Sequence, residues 1–137
     1  MKALSLRTMF ALVMMTTVTM ISCKKDKEDL LLQAEPVTIE GKWVGKTGTI
    51  ITPPTAFFAA KISKAGFIEI LDKNNAVIGK GLWKLDGAAF SAVYSYEGSV
   101  IKYNLAAKYD AANKKLTGSW GDGEVIADNG EFFLDKQ

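Results

Sequence analysis

The side chains able to do chemistry in this sequence of 137 residues are one thiol, four phenols, three indoles and 15 carboxylates, with no imidazole. Arg7 is the only guanidinium. Apart from Lys2 and Arg7, which flank or enter an N-terminal apolar stretch, the 17 basic residues fall level with the 15 acidic ones. The rest of the chain is therefore formally neutral. It lacks a histidine base, a guanidinium clamp for phosphate and the basic footprint of a nucleic-acid binder. The thiol, Cys23, has no second cysteine in its own chain to pair with. Carboxylates hydrolyse glycosides only as a facing pair, and strand alternation puts Glu40, Asp86 and Glu131 on outward faces, while Glu69 and Glu97 have no evident partner. No Gly-x-Ser-x-Gly elbow or phosphate loop occurs. No catalytic residue is expected. Residues 121–124 and 128–131 concentrate Asp, Glu and Gly, but their order is not that of a calcium loop. Asp122-Gly123 and Asn129-Gly130 are tight-turn dipeptides. Neither a metal nor a cofactor is expected.

The remaining chemistry is aromatic stacking, and the elements that must position it are strands. Residues 37–137 alternate apolar and polar side chains with period two, broken by turn signals, and show no convincing helix. The pattern predicts strands at 38–46, 56–63, 67–72, 77–86, 89–96, 100–109, 116–121 and 131–136, with a turn, or one helical turn, at 110–114. Eight sequential strands with short connections close most simply as an antiparallel up-and-down barrel, which leaves no exposed edge. Charge identifies the outward face: Lys80, Lys84 and Asp86 lie opposite Trp83, and Lys42 and Lys46 opposite Trp43. Gly-x-Trp recurs as Gly41-Lys42-Trp43, Gly81-Leu82-Trp83 and Gly118-Ser119-Trp120, with Gly and Trp sharing one face. Such small–large alternation suits a barrel interior, and each glycine is expected to make room for a neighbouring indole.

The inward face thus collects Trp43, Trp83, Tyr94, Tyr96, Tyr103 and Trp120 as candidate ligand-contacting residues, with Phe58, Phe90, Tyr109 and Phe132 beside them. Two arrangements fit: a cavity that stacks an apolar or aromatic ligand, or a core filled by its own side chains. Each buried phenol needs a polar partner, which favours a rim position for some of the tyrosines. Pro53-Pro54 argues against a regular central strand. The apolar segment 48–58 is therefore read as a loop, either a lid or a plug folded over one barrel end. The plug is preferred, because exposed Ile50, Ile51, Phe57 and Phe58 would form a costly patch.

The first 22 residues read as an export signal. Lys2 and Arg7 form a basic start, and Met9 to Ile21 is an uncharged, mostly apolar run of 13 residues, short of the ~20 that span a bilayer. The residues alone leave open an ordinary cleaved signal with a stray cysteine, or an uncleaved apolar N-terminus. Met20-Ile21-Ser22-Cys23 resembles the lipobox of bacterial lipoproteins, and the resemblance implies cleavage before Cys23, a diacylglyceryl thioether on its sulfur and an amide-linked acyl chain. Residues 23–36, opening Cys23-Lys24-Lys25-Asp26-Lys27-Glu28-Asp29, are too polar to join a core and read as a solvated tether. Leu30-Leu31-Leu32 within it would cap the domain or lie against lipid, and Pro36 marks a boundary.

The start Ser22-Cys23-Lys24-Lys25-Asp26 is similar to that of many Bacteroidota lipoproteins, in which charges after the cysteine can direct export to the cell surface. The folded part, with Gly79-x-Gly81-x-Trp83-x-Leu85, Tyr94-x-Tyr96, Leu116-Thr117-Gly118-Ser119-Trp120-Gly121 and Gly130-x-Phe132, resembles a class of small Bacteroidota lipoproteins with a lipocalin-like barrel. The opening Gly-x-Trp is similar to that of lipocalins, and residues 116–120 are similar to avidin-type strands. The resemblance implies the barrel and a place in the cell envelope, on the periplasmic face or outer surface of the outer membrane. It brings no activity. The expectation is a non-enzymatic module held to the bilayer by acylated Cys23 that binds a small apolar or aromatic ligand. The competing expectation is a structural lipoprotein with a filled barrel that contacts an envelope or extracellular protein. No nucleic-acid partner is expected.

Overall fold

The computed structural model describes residues 38–123 and 127–137. The candidate signal 1–22, Cys23, the tether 23–36, Val37 and Glu124 lie outside the described residues. Eight strands follow in chain order: β1 (Gly41–Thr49), β2 (Thr52–Ile62), β3 (Phe67–Leu71), β4 (Val77–Asp86), β5 (Ala89–Tyr96), β6 (Tyr103–Asp110), β7 (Lys115–Asp122) and β8 (Gly130–Lys136). Each pairs antiparallel with the next, and β1 returns to β8 from Trp43↔Lys136 to Thr47↔Phe132, closing the barrel. The architecture is the all-β, eight-stranded, up-and-down, lipocalin-like barrel that the sequence predicts.

Because the strands alternate in direction, the connections fall at two ends. The base carries the incoming segment Thr38-Ile39-Glu40 and the turns after β2, β4 and β6. The mouth carries the connections after β1, β3, β5 and β7. The base is sealed. Ile39, Trp43, Ile62, Ile68, Tyr109 and Leu116 are all buried there, the Lys136 ammonium donates to the Thr38 carbonyl, and the Gln137 amide donates to the Lys42 carbonyl at 2.9 Å. The turns follow local chemistry. The Asp72 carboxylate accepts from the Asn74 and Ala76 amides, both at 2.8 Å, around Asn75 at φ 66°. Asp110 accepts from the Asn113 side chain at 2.8 Å and its amide at 3.0 Å, which holds the Asp110 carboxyl below the ordinary carboxylate range.

None of the three repeat glycines makes room for an indole: Gly41 faces the Lys136 side chain, and Gly81 and Gly118 make room for backbone. A Cβ on Gly81 would lie 2.0 Å from the Val93 carbonyl oxygen, and one on Gly118 would lie 2.0 Å from that of Ala106. At both points the neighbouring strand coils across the glycine, which a tightly wound barrel requires. Gly118→Ala is therefore expected to cost about 3 kcal/mol, since two hydrogen-bonded strands must separate to admit one methyl group. Urea unfolding of wild type and variant, compared at unchanged slope, measures it.

Three expectations are corrected. Pro53 and Pro54 lie inside β2, not in a loop. The β1–β2 register breaks between Thr47 and Thr49, so the prolines sit opposite a bulge where no ladder donor is required. The segment is not a plug either: Ile50 and Ile51, at the hairpin tip, are 75% and 90% exposed, and only Phe58 turns into the core. The tip is held by the Ile50 amide, which donates to the Asn129 carbonyl at 3.0 Å. Finally, β6 begins at Tyr103, not residue 100. Gly98 at φ 76° and the Ser99 hydroxyl, which accepts from the Ile101 amide at 3.1 Å, form a loop of their own and leave Val100 in solvent.

Candidate functional site

The inward face carries all three indoles, yet they occupy different levels. Trp43 on β1 is fully buried near the base, where its ring N–H donates to the Ile39 carbonyl at 2.8 Å and its ring makes a T-shaped contact with Tyr109, centroids 6.0 Å apart. Trp83 on β4 donates to the Ser63 carbonyl at 2.9 Å in the β2–β3 turn and stacks on Phe90 at 6.1 Å. Trp120 on β7 donates to the Gly48 carbonyl at 2.7 Å, across to the β1–β2 hairpin. Each indole ties the wall to a backbone carbonyl outside its own strand pairs. Gly-x-Trp spacing gives no hint of this, because the acceptors lie in the segment before β1, in the β2–β3 turn and on a strand distant in sequence.

Towards the mouth, the packed interior gives way to a cavity of about 220 Å³ lined by Thr47, Phe58, Tyr94, Tyr96, Tyr103, Leu105 and Trp120. Phe58, Tyr94 and Leu105 are buried and form its floor, while Thr47, Tyr96, Tyr103 and Trp120 are half-buried around the opening. Alternation sends Tyr94 and Tyr96 of β5 inward together. Cross-strand pairing sets Tyr103 of β6 against Tyr94, and the inward glycines Gly79 and Gly81 of β4 lie opposite Tyr96 and Tyr94. Small residues on β4 thus leave space for large ones on β5. The three phenol rings form one cluster: Tyr94 stacks with Tyr103 at 5.4 Å, and Tyr96 meets them edge-on at 5.4 and 5.2 Å. Trp120 extends it at 6.3 Å from Tyr103.

Of the six sequence-nominated residues, the structure gathers Tyr94, Tyr96, Tyr103 and Trp120 around the cavity and leaves Trp43 and Trp83 out of it. Leu105 and Phe58 are inward-facing from the pattern, but nothing in the sequence sets their level. Thr47 was missed: it continues the inward series Trp43, Gly45, Thr47, and its hydroxyl donates to the Glu131 carbonyl at 3.3 Å. No lining side chain carries a charge at neutral pH. Burial pushes the Tyr94 hydroxyl far above its ordinary range, and the charges that Tyr96 and Tyr103 would carry push it the same way. Tyr109, at the base, is also raised by burial, with the Glu40 carboxylate adding to it.

These phenols set a pH limit. A buried tyrosine keeps its proton when the unfolded chain, with a pKa near 10, gives it up. The folded state then binds more protons than the unfolded state, so stability is complete below pH ~10 and falls as pH rises further. The expected slope is about 1.4 kcal/mol per pH unit for each phenol still protonated in the fold. Urea midpoints between pH 8 and 12 check it, and Tyr94→Phe should make the alkaline decline shallower.

Glu40 is less outward than alternation suggests. Its Oε2 is buried without a hydrogen-bond partner. A backbone N–H holds its carboxyl below the ordinary range against the opposing effect of burial, with the Thr38 hydroxyl, Lys64 and Lys136 assisting. Glu69 has a partner after all, Lys61, at 3.5 Å across β2–β3; the pair is solvent-exposed and contributes little stability. Among the described residues no three Cys, Asp, Glu or His side chains converge as a metal site would need. In the β7–β8 connection, Asp122 instead accepts from the Asn129 side chain at 2.7 Å. A wider groove of about 550 Å³ lies between the β1–β2 hairpin and that connection, lined by Ile50, Ile51, Pro53, Ser119, Asp128 and Glu131 among others. It is a surface concavity whose two carboxylates are exposed. The smaller cavity, with a buried aromatic floor, is the better-built site.

The fold and this cavity define the class: a closed eight-stranded lipocalin-like barrel, filled at the base and hollow at the mouth. Comparison of the chain with protein-family models, curated proteins and solved structures gives no match.

Proposed function

We propose that this protein is a membrane-anchored lipoprotein of the bacterial cell envelope, held to the outer membrane by acylated Cys23, whose barrel binds a small apolar or aromatic ligand without acting on it chemically. The observation that carries the reading is the cavity of about 220 Å³ bounded by three tyrosines, Phe58 and Trp120. A barrel built only as a scaffold has no need of a hollow at one end when the other end is packed without one. The described chain begins at Thr38, on the base, the end of the barrel opposite the mouth.

Titration with toluene, followed by tryptophan fluorescence and calorimetry, tests the binding reading. A saturable response is expected in wild type, and Thr47→Trp, which places an indole in the mouth, should abolish it. A wild-type protein that gives no saturable response to toluene or to any small aromatic probe would reject ligand binding.

One observation favours the competing reading of a partner-contacting lipoprotein. Phe67, Leu82 and Val93 stand in one cross-strand row on the outer wall of β3, β4 and β5, exposed by 56%, 60% and 45%. Exposed apolar rows of this kind mark contact surfaces. Crosslinking from a photoreactive residue at position 82 in whole cells distinguishes the two: a single discrete protein adduct supports the contact role.

A further inference from the structure

We infer that the ligand of the mouth cavity is an uncharged aromatic molecule of one or two rings that bears a hydroxyl or ring N–H. The inference rests on the ligand-binding reading above and specifies the chemistry of that same site.

Three observations lead to it. The first is size. At about 220 Å³ the cavity is smaller than the roughly 300–1,000 Å³ of pockets for drug-sized ligands. It exceeds the ~150 Å³ apolar cavity known to hold benzene in another protein. A substituted single ring or a fused pair of rings fills it; a sterol is too large to enter whole.

The second is shape and surface. Five of the seven lining residues, all but Thr47 and Leu105, form a continuous aromatic array, with ring centroids 5.2 to 6.3 Å apart from Tyr96 through Tyr103 to Trp120 and with Phe58 6.5 Å from Tyr94. Walls of this type hold a planar ring by offset or edge-on stacking.

The third is polarity without charge. The polar atoms of the lining are hydroxyls, those of Tyr94, Tyr96, Tyr103 and Thr47, together with the indole N–H of Trp120. That N–H is already given to Gly48, and the Thr47 hydroxyl is given to Glu131. The Tyr94 and Tyr96 hydroxyls share a hydrogen bond, which leaves each phenol oxygen further capacity, and with Tyr103 they remain the groups able to meet a ligand. No ammonium, guanidinium or carboxylate lines the space to neutralise an ionic ligand, and an ion moved from water into such a site loses its hydration without compensation. A ligand O–H or N–H, in contrast, meets oxygens that both donate and accept.

Four probes of matched size test the inference on the full-length protein: p-cresol, toluene, benzoate and benzylammonium, each titrated at pH 7.5 by calorimetry with tryptophan fluorescence alongside. p-Cresol is expected to bind saturably, with toluene about fivefold to tenfold weaker for lack of one hydrogen bond, and with both ions at least about 100-fold weaker. The combined Tyr94→Phe, Tyr96→Phe and Tyr103→Phe variant keeps every ring. It should bind toluene within twofold of wild type and lose the preference for p-cresol; toluene binding itself reports that the barrel is intact.

Benzoate or benzylammonium binding within tenfold of p-cresol overturns the exclusion of charge. Equal binding of toluene and p-cresol in wild type overturns recognition of the hydroxyl. Either result leaves the cavity a binding site and removes only the ligand class. Failure of all four probes, toluene included, removes the binding reading itself.

Discussion

Trp43→Ala is expected to lower the free energy of unfolding by about 4 kcal/mol, the largest loss from any single side chain in the barrel. Trp43 is the largest fully buried side chain, with no exposed surface. Its removal leaves a void against Tyr109 that rigid, hydrogen-bonded walls cannot collapse to fill. It also leaves the Ile39 carbonyl, a buried acceptor at the base, without the indole N–H that satisfies it. Small domains typically hold about 5–15 kcal/mol in total, so the variant approaches the limit of folding. Trp43→Phe separates the two contributions: most of the bulk stays, the N–H goes, and a cost of about 1–2 kcal/mol is expected. Trp120→Ala should cost less than Trp43→Ala, because its ring already borders an open space and loses fewer neighbours. Urea unfolding monitored by far-UV circular dichroism measures all three. A loss for Trp43→Ala no greater than that for Trp120→Ala would show that the base is not the cooperative core that burial indicates.

Alternation is a statement about faces, and in this chain it is a good one. β4 (Val77–Asp86) and β5 (Ala89–Tyr96) have the bounds that the pattern predicts, because charged residues mark one face of β4 and Gly87, at φ 58°, ends the pairing sharply. The lysines of β1 and β4 point outward, and the indoles point inward. What alternation cannot supply is height along the barrel axis. Trp43 and Tyr96 share the inward face, yet one seals the base and the other borders the mouth. Height depends on the stagger between strands, which is fixed by register and by bulges such as those after Thr47 and beyond Ile70. This is why the sequence nominates six aromatic residues and the structure assembles four of them.

The misreading of 48–58 has a related origin. Proline is excluded from a strand only where its missing N–H is required by a neighbour. Opposite Gly48 the β1–β2 ladder is bulged, and β2 pairs with β3 only over Ala59 to Ile62, so Pro53 and Pro54 deprive no partner of a donor. The assumption that exposed isoleucines are too costly also fails here, since two isolated apolar residues at a hairpin tip are a small area.

Cys23→Ala is expected to shift the protein from the membrane fraction to the soluble fraction and to erase its acyl groups, the other large effect. The case is energetic. One acyl chain holds a protein only marginally, with each buried CH₂ contributing about 0.8 kcal/mol, and stable anchoring takes two signals. The lipobox resemblance supplies several chains at a single sulfur and its adjacent amine, so one substitution removes them all. Nothing else in the sequence replaces them. The apolar run from Met9 to Ile21 counts 13 residues, too few to span a bilayer even if it stays uncleaved. Residues 24–29 that follow carry three lysines and three acids, which cancel rather than form a basic patch for anionic lipid. The barrel wall offers only scattered apolar side chains besides the Phe67, Leu82 and Val93 row, interrupted on the same strands by Lys80, Lys84 and Glu69. Fractionation with intact-mass measurement reads both outcomes at once. A variant that carries no acyl mass and still sediments with membranes would show that another part of the chain grips lipid. A variant that retains acyl mass would place the modification on another residue. The first result would leave acylation at Cys23 standing and end its role as the sole anchor; the second would end the lipoprotein reading built on Cys23.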